Sequence, residues 1–117
     1  MTETLPDVLR HADEAQDSIA AMSRVAPKVL TAPIAHDVLS KLEALAYQLA
    51  PVFDQIAAGL TRALEEFDTY EHDGDDPEIN TATARAFLGR ASQLALQMGE
   101  FIDEAKTAIS EQGHRVA

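Results

Sequence analysis

Three stretches of the sequence repeat apolar residues in alternating steps of four and three, which confines them to helices packed along one face. The first stripe is Val8, Ala12, Ala15, Ile19, Met22 and Ala26, with Asp7, Asp13, Glu14 and Asp17 falling off it. Pro27 cannot continue the hydrogen-bond ladder, so a helix over about residues 5–26 is expected to end there. The second stripe is Val38, Leu42, Leu45, Leu49, Val52, Ile56, Gly59 and Ala63. Beside it runs a flanking row, Leu39, Ala46, Phe53, Leu60 and Phe67. Pro33 suits a first helical turn, so this helix is expected over about 33–70, kinked near Pro51, where Tyr47 loses its usual amide partner. The third stripe is Phe87, Ala91, Leu94, Met98, Phe101, Ala105 and Ala108, flanked by Leu88, Ala95, Ile102 and Ile109.

The stretch EHDGDDPE, residues 71–78, separates the second and third stripes. Carboxylates, a histidine and a glycine together resemble a metal loop. A calcium EF-hand needs acids at alternate positions, glycine at the sixth and glutamate at the twelfth. Here Gly74 directly follows Asp73, and Pro77 opens a helix before such a loop could close. The better reading is a turn: Gly74 bends the chain, Asp76 caps, and Pro77 with Glu78 starts a third helix over about 77–112. Gly113 is the expected terminator, with residues 113–117 as a frayed tail.

These elements predict a single all-α domain over residues 1–117. Its expected architecture is an up-down-up helical bundle, two long antiparallel helices with a shorter N-terminal helix. Small residues at Gly59, Ala63, Ala91 and Ala105 are expected to let the axes approach. With 5% aromatic residues and no Trp, the core must come from Leu, Ile, Val and Ala.

The first helix spans about 30 Å at 1.5 Å per residue, and the long ones approach twice that. It is expected to cover the half of the hairpin up to about Pro51. The half nearer the 71–78 loop then keeps an apolar groove of Phe53, Ile56, Leu60, Leu64, Phe67, Phe87, Leu88 and Ala91. Exposed apolar patches of this kind mark interfaces. The plainer alternative is that these side chains are ordinary core. The expected function is therefore a non-enzymatic interaction module, which forms a homo-oligomer such as a dimer or takes a helix from another protein.

A second reading starts from charge. The net charge is −11 and the pI near 4.5, which disfavours nucleic acid and anionic membranes. Glu65, Glu66, Asp68, Glu71, Asp73, Asp75, Asp76 and Glu78 form an acidic pole with no Lys or Arg among them. A basic partner, such as a toxin, nuclease or regulator to be neutralised, would suit it. The plainer alternative is a solubilising helix end.

A third reading is enzymatic. Glu100-Phe101-Ile102-Asp103 resembles the Glu-x-x-Asp motif of all-α nucleotide pyrophosphatases, which implies Mg²⁺ held by carboxylates. Glu65-Glu66-Phe67-Asp68 begins like their Glu-Glu-x-x-Glu motif, but Thr69 stands where the last acid belongs. Only Glu111 and His114 have the Glu-x-x-His spacing of di-metal bundles. There is no cysteine and no phosphate-binding glycine loop. No catalytic residue, metal ligand or cofactor is expected. The small helical-hairpin proteins of type VII secretion are similar in size and helicity, but their Trp-x-Gly turn is absent. Their Tyr-x-x-x-Asp/Glu signal is also absent, since Tyr47 leads to Pro51 and Tyr70 to Gly74. The acidic opening MTETLPDVLR has no apolar core and no run approaches a membrane span, so a cytoplasmic protein is expected, or one exported without a leader.

Overall fold

The computed structural model describes residues 6–116, which form three α-helices and no β-strand. Leu5 and Ala117, at the limits of the expected first helix and tail, lie outside the described residues. The chain divides into two compact units, one ending at Leu30 and the other beginning at Thr31. Among the described residues no helix is long and apolar enough to cross a membrane.

The first unit holds α1, Asp7–Val25. Asp7 in its first turn and Arg24 in its last complement the helix dipole. Arg10 reaches both Asp7 and Glu14 along one exposed face. The helix stops just before Pro27, as the missing amide requires. No residue of α1 is buried.

The second unit is a hairpin of α2, Ala32–Glu66, and α3, Pro77–Ile109. Pro33 sits in the first turn of α2, and the helix continues unbroken through Pro51. It ends at Glu66 rather than near residue 70, because Phe67 turns extended. The carbonyl of Ala63 there accepts both the Phe67 N–H and the Thr69 hydroxyl. Glu65, Glu66 and Asp68 put negative charge at the negative end of the dipole, with no basic residue in the last turn, and this favours an early stop. Asp76 caps α3 by accepting the Glu78 N–H at 2.9 Å, with Pro77 at the first helical position. Such a cap contributes about 1 kcal/mol. At the other end Ser110, not Gly113, closes the helix, its N–H and hydroxyl both donating to the Thr107 carbonyl.

Three pairings fix the direction of the hairpin. Glu43 meets Lys106, Tyr47 meets Gly99, and Ala50 meets Ser92. Numbers rise on α2 as they fall on α3, so the helices are antiparallel.

The seam between them differs from the expected one. Its buried residues are Ala46 and Ala50 on α2 and Ser92, Ala95 and Gly99 on α3. The stripe expected to form the α3 seam lies outside it: Phe87, Leu94, Met98 and Phe101 are 65%, 61%, 44% and 68% exposed. On α2, Val52 and Ile56 are likewise exposed, whereas the flanking residue Ala46 is fully buried. The physical reason is size. Interaxial distance depends on the side chains at the contact, so a row of Ala, Ser and Gly permits an approach that Leu and Phe would prevent. Gly59, expected at a close approach, has open space around it. Gly99 does meet a neighbour, since a Cβ there would lie 2.6 Å from the Tyr47 ring. Within the seam the Ser92 hydroxyl donates to the Ala50 carbonyl at 3.1 Å, which satisfies its one buried polar side chain.

Candidate interaction face

An α-helix turns about 100° per residue, which places the displaced stripes. On α2, Leu42, Leu45, Leu49, Val52 and Ile56 lie roughly 100° round from the Ala46–Ala50 seam. On α3, Phe87, Ala91, Leu94, Met98 and Phe101 lie at a similar angle from the Ser92–Gly99 seam. Because the helices are antiparallel, both stripes come to the same side of the hairpin. Leu49 and Phe53 share an open groove with Ala91, Leu94 and Met98. Further along, Leu39 lines a second with Met98, Phe101, Ile102 and Ala105. No acid lies in either groove. The other side of the hairpin differs in character. There Asp54 and Arg85 border a shallow groove floored by Ala57, Ala58, Ala82, Ala86 and Gly89.

The sequence-predicted contact residues divide between face and seam. Ile56, Leu60, Phe67 and Phe87 are exposed. Phe53, Leu64, Leu88 and Ala91 are half-buried. Phe53 and Ala91 meet in the groove, whereas Phe67 belongs to the cap after α2. Leu39, Leu94, Met98 and Phe101 were not among the predicted contact residues, because their heptad spacing assigned them to the core. The signal that identifies Leu94, Met98 and Phe101 is the run of small residues at 92, 95 and 99, which faces Ala46 and Ala50.

A polar clasp closes the end of the hairpin remote from the loop. Lys106 Nζ donates to Glu43 Oε1 at 2.7 Å, and both side chains are largely covered. The hydrogen bond from Lys106 holds the Glu43 carboxyl below its ordinary range against the opposing effect of burial. The same bond raises the Lys106 ammonium above its ordinary value. Burial next to Glu43 pushes the Tyr47 hydroxyl up as well. A carboxyl lowered by folding contributes stability above the ordinary glutamate range and loses it as pH falls through the lowered folded value. A raised lysine contributes below the ordinary lysine range and loses it as pH rises through the raised one. The clasp is therefore intact from about pH 5 to about pH 10. Glu43→Gln is expected to lower Tm across that window, with the gap to wild type narrowing below about pH 4. Parallel Tm–pH curves for the two proteins would deny the pair its role.

The acidic pole is turn chemistry on an exposed surface. Asp73 accepts the Asp75 N–H, Asp76 caps α3, and Gly74 adopts φ 85° with its N–H on the Glu71 carbonyl. Tyr70 packs edge-on to His72. All the pole's acids are exposed except half-buried Glu71, and among the described residues none pairs with a base. Glu100 and Asp103 lie near Tyr47, on the clasp side, and not with Glu65, Glu66 and Asp68 at the end of α2. Among the described residues no group of three or more His, Asp or Glu is placed to hold a metal ion.

No protein-family model, curated protein or solved structure matches this chain.

Proposed function

We propose that the protein is a non-enzymatic interaction module whose hairpin offers its apolar face to another helical surface, from a second copy or a different helical protein. One observation carries this reading: Phe87, Leu94, Met98 and Phe101 project from α3 at heptad spacing, each at least 44% exposed. Fully burying a side chain of this size is worth about 1.5–3 kcal/mol relative to exposure, before the entropy of association is subtracted. The chain carries a net charge of −11, yet its acids are kept out of both grooves on this face. Cytoplasm is the proposed compartment.

Leu94→Asp tests the reading. Leu94 is 61% exposed and outside the seam, so helicity is expected to survive the change. Wild-type protein should either assemble or, as a monomer, bind an apolar fluorescent dye, and the variant should do neither to the same extent. A wild-type monomer that leaves the dye dark would sink the reading, because the face would then be covered within the chain.

A further inference from the structure

We infer that the occupant of this face is a second copy of the hairpin, stacked so that the two 67–76 loops lie at opposite ends of a four-helix bundle. The inference rests on the reading of the face as an interface and specifies its partner. Three observations carry it, and the first is angular. In a three-helix bundle each helix meets its neighbours about 60° apart round its axis, and in a four-helix bundle about 90° apart. Both α2 and α3 carry their second apolar stripe roughly 100° from the first contact. That suits a square of helices, in which each helix of the pair needs its own new neighbour. A two-helix unit supplies both at once.

Area is the second observation. Phe87, Leu94, Met98, Phe101, Val52 and Ile56 leave between 39% and 68% of their surface open. Together they hold on the order of 600 Å² of mostly apolar side chain, against about 800 Å² per partner in a stable interface. Half-buried Leu39, Leu49, Phe53 and Ile102 line the same grooves and add to that area.

The third observation, charge, selects the orientation. Stacking with loops at the same end would bring two copies of the Glu65–Glu78 acidic stretch together, with no Lys or Arg to separate them. Stacking with loops at opposite ends holds the poles apart by about 50 Å, the length of α2 at 1.5 Å per residue and several Debye lengths at physiological salt. Like-charge repulsion thus disfavours the dimer with loops at the same end.

The chain has no cysteine, so His72→Cys gives one labelling site per copy, in the exposed loop. Solution mass and the distance between spin labels on the full-length protein are measured together. A dimer with labels about 50 Å apart or more is expected, and adding Leu94→Asp should shift it to monomer. A dimer with labels closer than about half that distance would overturn the orientation. A dye-binding monomer would overturn the second copy as occupant while leaving the interface reading standing. A monomer that stays dark would overturn both.

Discussion

Ala46→Leu is expected to destabilise the hairpin by about 1–3 kcal/mol, although it adds apolar volume to a helix interior. Ala46 is 0% exposed and sits in a seam completed by Ala50, Ser92, Ala95 and Gly99. A leucine there must either adopt a poor rotamer or force the helices apart. Separation would stretch the Ser92–Ala50 hydrogen bond and loosen the 2.7 Å contact between Glu43 and Lys106. Urea unfolding at matched protein concentration measures the loss, because any self-association also adds to apparent stability. The informative control is Leu49→Ala, which removes a half-buried side chain beside the seam. It is expected to cost less than the 2–5 kcal/mol of a fully buried leucine. An Ala46→Leu protein as stable as wild type would mean that the seam has room, and the small-residue account of this hairpin would fail.

The helices were legible from sequence because their signals are local. Pro27, Pro33 and the Asp76-Pro77-Glu78 triplet fixed starts and stops through backbone chemistry that needs no tertiary partner. Helix ends were less legible. The stop at Glu66 depends on Phe67 and Thr69 sharing one carbonyl, and the stop at Ile109 on Ser110 folding back to Thr107. The seam was misread for a different reason. Each long helix carries two rows at heptad-type spacing: on α3 the second holds the small residues Ser92, Ala95 and Gly99, on α2 it holds Ala46 and Ala50 between Leu39 and Phe53, and hydrophobicity ranks the larger row first. Distance of approach ranks the small row first. In this hairpin the second criterion decides: the large row of α3 is left exposed, and that of α2 is half-buried from Val38 to Leu49. The exposed apolar face was therefore half visible. Ile56, Leu60 and Phe87 follow from the apolar stripes and the expected reach of the first helix, whereas Leu94, Met98 and Phe101 emerge only once Ala95 and Gly99 have taken the inner positions.

Gly99→Ala sets two known effects against each other at one atom. Alanine is favoured over glycine inside a helix by about 1 kcal/mol. Against that, a Cβ at this position would stand 2.6 Å from Tyr47 Cε1, 2.7 Å from Cζ and 2.9 Å from Cδ1, which the ring cannot accept in place. Tyr47 is 39% exposed, so its ring can swing outward, but it then gives up its packing across the seam. Overpacking typically costs 1–3 kcal/mol, so a net loss of about 1–2 kcal/mol is expected after the helix gain is subtracted. The sign should reverse when the ring is absent. In a Tyr47→Ala background the three atoms nearest that Cβ are gone, and the same Gly99→Ala change should stabilise by up to about 1 kcal/mol. The cycle of four proteins then isolates a coupling between residues 47 and 99. If Gly99→Ala stabilises with Tyr47 present, the ring yields freely and glycine is not needed for the close approach. If it destabilises in both backgrounds, the two helix backbones themselves set the limit, and Tyr47 is a bystander.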